Sequence, residues 1–380
     1  MGRQLLHTHA TPEELAARLS ERGNPPRRTF GGFPAHRCGG IESGIPSPRK
    51  PPAMPSNRIP RGTARSMTLF CCLLLALVFP ALADRGPDLP DYPADTVAPG
   101  LYVIHGPVDY PTPENQGFMN NPAFLVTKTG VIVVDPGSSV QTGEMVLRQI
   151  RKVTDKPLLA VLNTHVHGDH WLGNQAMLTV APQVPIYGHP EMLKLIAEGA
   201  GEEWVQRMSS ATEGATEGTV AKGPTHPLEG GETLSIGGLT FKTHYYPHVH
   251  STSDLMFEIP ELKVLFLGDN ACNGRIVRMD DGSFVGSINA LDGVKASVTA
   301  SVLIPGHGRT GGWEIVDAYR AYLAGVYDGV AALYESGGSD FEMHPIIAEQ
   351  LARFKEWPGF EEELGKHVSL AYLEIEAEAF

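Results

Sequence analysis

The amino-acid sequence predicts a layered α/β fold, and three observations predict it. Short apolar runs of strand length alternate with segments of helical spacing. The chain is long enough, at 380 residues, for one large domain or two ordinary ones, and 42% apolar content can fill a core. The residues able to carry chemistry fall directly after the apolar runs, where a rigid sheet holds loops in place.

Residues 84–98 are a Pro- and Asp-rich lead-in. Strand-like runs follow at 101–104, 123–127 and 130–134, and the turn Lys128-Thr129-Gly130 joins the last two as a hairpin. Residues 140–153 have helical spacing, with Val146, Leu147 and Ile150 on a core face and Arg148, Arg151 and Lys152 outside. Residues 158–162 form a buried strand. In the second half, 233–236 and 239–245 flank a Gly237-Gly238 turn, and 255–259 and 263–267 form another pair. Residues 284–298 read as a loop and then a helix, 302–304 as a short strand, 313–337 as a helix with an apolar stripe, and 345–379 as two further helical stretches. Residues 198–230, rich in Gly, Glu, Ser and Thr, read as a loop or partly helical lid, with Trp204 and Met208 as substrate cover.

The N-terminus differs from the rest. Residues 1–66 are rich in Pro, Gly, Ser and Arg without strand or helix period, which predicts disorder or a spurious upstream leader. The apolar run 67–83 follows Arg61 and Arg65 and ends in Ala81-Leu82-Ala83, the three parts of a secretory signal peptide. This implies a periplasmic or secreted protein with no stable membrane contact after cleavage. A retained anchor is the competing reading of that run. The formal net charge is −13. Without residues 1–83 it falls to about −20, a surface that repels nucleic-acid phosphates and directs attention to small-molecule substrates. One cysteine, Cys272, then remains, so no internal disulfide can form.

The chemistry begins at Thr164-His165-Val166-His167-Gly168-Asp169-His170, directly after the 158–162 strand. At a strand end, residues two apart point the same way, so His165 and His167 can reach one ion. Asp169 and His170, beyond the Gly168 turn, can reach a second. Three imidazoles and a carboxylate suit zinc, with iron or manganese as the other fits. Further donors stand at later strand ends: His248 and His250, Asp269, and His307 between Gly306 and Gly308. Asp135 ends the strand before the first helix.

This set resembles the metallo-β-lactamase superfamily. Its Asp near the first helix looks like Asp135, and its His-x-His-x-Asp-His run is met by His165, His167, Asp169 and His170. Its later histidine looks like His250, with Asp254 four residues on. Its bridging aspartate looks like Asp269 and its last histidine like His307. The resemblance implies a four-layer αββα sandwich over 84–310, with 311–380 as C-terminal helices packing on that domain. It implies two divalent metal ions: one held by His165, His167 and His250, the other by Asp169, His170 and His307, with Asp269 bridging. Asp169 would also move the proton in catalysis, and Asp135 would orient the histidine loop without being a ligand. His248 and His244 would then be wall or structural residues, and Cys272 a small buried one. The stretch from Trp357 to Glu376 is similar to the tail of secreted members found with quinoprotein or sulfur-oxidation systems.

The implied activity is hydrolysis of a small ester, thioester, lactone or amide by a metal-bridging hydroxide. Asp269 departs from the cysteine-bearing and histidine-rich β-lactamases and is closer to thioester hydrolases, lactonases and related esterases. The alternatives are a β-lactamase proper and a mononuclear iron, persulfide dioxygenase-like oxidoreductase, which would leave Asp169, His170 and the last histidine without metal. The substrate, the leaving group and the oligomeric state stay open at this level.

Overall fold

Two sheets carry the structure, a computed structural model that describes residues 85–379. The leader expected over 1–66 and the signal peptide expected over 67–83 lie outside the described residues. The first sheet has seven strands in chain order: β1 (Asp95–Ala98), β2 (Leu101–Val103), β3 (Ala123–Val126), β4 (Val131–Val134), β5 (Leu158–Leu162), β6 (Ile186–Gly188) and β7 (His226–Pro227). Pairing is antiparallel from β1 to β4 and parallel from β4 to β7. The second sheet holds β8 (Thr233–Ile236), β9 (Leu239–Tyr245), β10 (Leu255–Ile259), β11 (Val264–Gly268) and β12 (Val302–Pro305), in the order β12-β11-β10-β9-β8. Only β11 and β12 run parallel there.

Side chains on a strand alternate between faces, and in central strands such as β4, β10 and β11 both faces are covered, so these strands read as nearly unbroken apolar runs. Along β4, Ile132 and Val134 enter the core between the sheets, while Val131 and Val133 enter the core on the outer side. Along β11, Val264 and Phe266 face the sandwich interior, and Leu265 and Leu267 face the other way. The outer face of the first sheet is closed by α1 (Val140–Val153) and α3 (Asn174–Val180), through Met145, Val146, Ile150 and Met177. Between them lies the single turn α2 (Gly168–Trp171). The outer face of the second sheet is closed by α6 (Phe284–Ser297), α7 (Glu314–Glu335), α8 (Asp340–Gln350) and α9 (Phe360–Ala379). The result is the four-layer αββα order. Two further helices, α4 (Pro190–Leu195) and α5 (Gly201–Ala211), lie in the segment expected to be a lid.

Three boundaries differ from expectation. β1 forms inside the lead-in, where four residues carry too little alternation to register as a strand. The small elements α2–α4 and β6 fall in a stretch that sequence patterning leaves unassigned. The helix expected from 345 begins at Asp340, because Ser339 and Glu342 make a reciprocal cap that offsets the interior Pro345.

The C-terminal helix also reaches toward the site. Glu374 of α9 accepts hydrogen bonds from the Ser283 hydroxyl (2.5 Å) and from the amides of Phe284 (2.8 Å) and Val285 (3.2 Å), capping the start of α6 with a charge of the favourable sign. The Ser283 amide in turn donates to the Val249 carbonyl (2.8 Å), one residue from His250.

His367, on α9, is fully buried, and the Tyr322 hydroxyl lies 2.8 Å from its Nδ1. Burial lowers its pKa to about 4. The folded protein thus binds fewer protons there than the unfolded chain, whose imidazole titrates near ~6.5. Stability from this residue is complete above pH ~6.5 and declines by about 3 kcal/mol as pH falls to about 4. Urea unfolding of wild type and His367→Gln from pH 7 to 4 should show the gap between them changing in this direction; a gap independent of pH would rule the cause out.

Candidate metal centre

Three strand ends and one loop build the donor cluster. β5 delivers His165 and His167, and the α2 turn presents Asp169 and His170. β11 ends at Gly268 and is followed by Asp269, and β12 is followed by Gly306-His307-Gly308. The β9–β10 loop supplies His250. Glycine is required where these segments touch: a Cβ on Gly306 would lie 1.9 Å from Asp269 Oδ1, and one on Gly168 2.7 Å from Trp204 Cβ. Asn121 clamps the last loop by donating to the carbonyls of Pro305 (2.8 Å) and Gly308 (2.6 Å).

Asp135 organises the first loop. It sits at φ 47°, a left-handed conformation that Asp tolerates better than most residues. Its carboxylate accepts from the Thr164 amide (2.8 Å), the Thr164 hydroxyl (2.6 Å) and His170 Nδ1 (2.9 Å). Since the Thr164 hydroxyl donates to Asp135, it can only accept from His165 Nδ1, 3.0 Å away. One carboxylate therefore fixes the tautomer of two histidines and leaves both Nε2 atoms bare. Those two atoms, with Asp269 Oδ1, are buried without a hydrogen-bond partner among the described residues. His307 is fixed the same way, donating from Nδ1 to the Met119 carbonyl (2.8 Å). His167 is turned the other way: its Nε2 meets Asp281 (3.3 Å) and its Nδ1 faces His250 Nε2 at 2.9 Å.

The bare atoms face one another. His165, His167 and His250 form one group able to share an ion; Asp169, His170 and His307 form another; and Asp269 groups with His165 and His170. Asp269 Oδ1 is 3.3 Å from His170 Nε2, and its Oδ2 is 3.2 Å from His307 Nε2 and 3.6 Å from His250 Nε2. Asp169 Oδ2 lies 3.3 Å from His307 Nε2 and 3.5 Å from His170 Nε2. Donors spaced by 2.9–3.6 Å match ligands about 2.0–2.2 Å from one tetrahedral ion.

The charges agree. Burial, reinforced by the neighbouring His170 and His167, holds the His165 imidazole neutral well below its usual range. Burial and His167 push His250 down to about 3. Neutral imidazole is the form that binds metal. Burial alone would raise Asp169 and Asp269, but His170 and His307 outweigh it and hold both carboxyls ionised. Burial opposes a proton on His170 and His307, yet the same carboxylates hold both imidazoles above their usual range. Two ionised buried carboxylates need cationic company, and a divalent ion competes with those protons for the same atoms. The residues present thus fit divalent metal ions.

Every residue singled out from the sequence for the cluster is in it. Of the two competing histidines, His250 is buried and faces the centre, whereas His248 is exposed at φ 56°. His244 pairs with Glu258 (2.9 Å) on the sheet. Cys272 is fully buried in the core under α6 and α7. Asp254 accepts from the Ser251 amide and hydroxyl, which ties down the His250 loop. A pocket of about 340 Å³ opens onto the centre, with Trp204 and Met208 of α5 in its wall. Sequence reasoning missed Thr164 as a relay, Asp281 behind His167, and the pocket residues Tyr110 and Arg275. A hydroxyl next to a histidine and a charge on a loop carry no periodicity that could have marked them.

A layered αββα chain with such a cluster at its strand ends defines a class of metal-binding proteins. A profile of the metallo-beta-lactamase superfamily matches residues 116–307, and the chain belongs to that superfamily. A linear primary-alkylsulfatase from a Pseudomonas species is 36% identical over 76 residues, 19% of this chain and 14% of that protein. A hydroxyacylglutathione hydrolase from a Synechococcus species is 28% identical over 160 residues, 42% of this chain and 51% of that protein. The chain therefore spans at most about half the length of these two relatives. Among solved structures, the stereoselective inverting sec-alkylsulfatase Pisa1 from a Pseudomonas species shares the fold, with a TM-score of 0.56 at 19% identity over 74% of this chain and 50% of that one.

Replacing Asp135 by Asn should weaken zinc binding by about 10–100-fold with the fold retained, because an amide cannot accept from His170, Thr164 and the Thr164 amide together. Competition titration against a chelating dye measures it; unchanged affinity would remove Asp135 from the account.

Proposed function

We propose that the chain is a hydrolase with two divalent ions, zinc by preference, that cleaves a small ester, thioester, lactone or amide. One observation carries the reading: Asp269 places one oxygen against His170 and the other against His250 and His307, between both groups of donors. That is the position of a bridge. Two bound divalent ions would supply Lewis acidity and a water with its pKa brought toward about 7.

The chain's own residues do the rest. His165, His167 and His250 would hold one ion; Asp169, His170 and His307 the other. Asp169 reaches the pocket wall and is placed to take a proton and return it to the leaving group. Trp204, Met208, Ile276 and Val277 give that wall an apolar face that limits water. The names of the relatives support hydrolysis of a thioester or a sulfate ester. Asp269 and the buried Cys272 argue against the cysteine-bearing β-lactamases. The convergence of Asp169, His170 and His307 argues against a mononuclear iron oxygenase. The 67–83 segment supports a periplasmic or secreted location.

A panel of an aryl ester, a thioester, a lactone, a primary alkyl sulfate and nitrocefin, assayed with zinc, should give turnover with at least one of the first four. His165→Ala should reduce it by about a thousandfold or more. Turnover that survives in His165→Ala would sink the assignment of the centre.

A further inference from the structure

The donor cluster is braced from two directions. His165, His170 and His307 each donate from Nδ1 to a partner at the sheet tips: the Thr164 hydroxyl, Asp135 and the Met119 carbonyl. His167 and His250 are held otherwise. His167 turns Nδ1 toward the cluster, so its Nε2 must carry the proton, and the acceptor 3.3 Å away is Asp281. Trp204 covers the same ring, 5.1 Å between centres. Arg278 pairs with Asp280 and leaves Asp281 to the histidine. His250 has no such partner: its Nδ1 is buried and unpaired among the described residues. Its place depends on its backbone.

One segment, residues 279–286 at the start of α6, serves both histidines. It carries Asp281, and its Ser283 amide donates to the Val249 carbonyl at 2.8 Å. Its glycines let it lie against the His250 loop. A Cβ on Gly282 would sit 2.5 Å from the Val249 oxygen, and one on Gly286 2.1 Å from the His248 oxygen. The segment is anchored in turn from α9. Glu374 accepts from the Ser283 hydroxyl and from the Phe284 and Val285 amides. The Phe284 ring packs edge-on against His367, 5.6 Å between centres. Both α9 residues lie beyond residue 307, where the family match ends. Among the described residues, no hydrogen bond joins 279–286 or α9 to Asp169, His170 or His307, whose partners lie elsewhere.

We propose that Asp281 is a positioning residue for His167, and that α9 acts on the same half of the centre through Glu374. Together they set the metal affinity of the group His165, His167 and His250 and leave that of Asp169, His170 and His307 alone. The proposal takes the cluster to hold two ions, as in the function proposed above, but its readout is metal binding and not turnover.

The test titrates zinc against a chelating dye in two parent chains. His307→Ala leaves one complete group, His165, His167 and His250; His250→Ala leaves the other. In the His307→Ala chain, Asp281→Ala should weaken zinc binding by about ten- to a hundredfold. Asp281→Asn, which keeps an acceptor without the charge, should fall between. Glu374→Ala should weaken it by a smaller factor, since it acts through the turn. In the His250→Ala chain the same substitutions should change zinc affinity by less than about twofold. Nitrogen NMR of the imidazoles in the metal-free protein gives a second readout. His167 should be protonated at Nε2 in wild type, and Asp281→Ala should mix its two tautomers; this measurement carries the test if either parent chain does not fold. Equal losses in the two parents, no loss in either, or a His167 tautomer indifferent to Asp281 would overturn the proposal. A wild type that takes up no zinc would overturn the two-ion reading itself. Two ions in wild type with equal losses in the parents would leave that reading standing and remove only the brace.

Discussion

Asp169 and Asp269 are buried carboxylates held ionised by the imidazoles beside them, and the arrangement depends on cations to balance them. Three imidazoles, those of His170, His250 and His307, surround them at 3.2–3.6 Å, yet His250 and the neighbouring His165 are held neutral. Charge and geometry make one demand together. Nearly every special feature nearby serves it: the strained Asp135, the glycine at 306 that lets Asp269 approach, and the Asn121 clamp on the last loop. A chain selected for stability alone would fill this volume with apolar side chains.

The sandwich supplies the precision. The tips of β4, β5, β11 and β12 are held by two packed cores, so the loops that follow have few alternatives. The C-terminal helices do more than cover the second sheet. Glu374 caps α6, and the turn before α6 carries Asp281 against His167 and ties Ser283 to the His250 loop. The family match ends at residue 307, yet residues far beyond it brace one half of the cluster.

Much of this was legible in the sequence, for a physical reason. The four candidate ligands of 165–170 lie within six positions, and strands buried on both faces produce apolar runs that announce where loops begin. The helix 140–153 and the strands 158–162, 233–236, 239–245 and 255–259 were readable to the residue because turn glycines or charged stretches bound them. β1, β6 and β7 were not, since two to four residues cannot show a period. Thr164 and Asp281 were not, since each depends on a partner far along the chain: Thr164 bonds Asp135 29 positions away, and Asp281 meets a histidine 114 positions away. The choice between His248 and His250 needed either the family spacing or the fold, because both follow the same strand.

On the proposed reading one carboxylate, Asp269, joins two groups of donors into a single two-ion centre. Native mass spectrometry of the chain with bound metal, for wild type and Asp269→Ala, tests it most directly. Two divalent ions per wild-type chain are expected, with a marked loss of both on removing Asp269. A single ion in wild type, or two retained without Asp269, would contradict it.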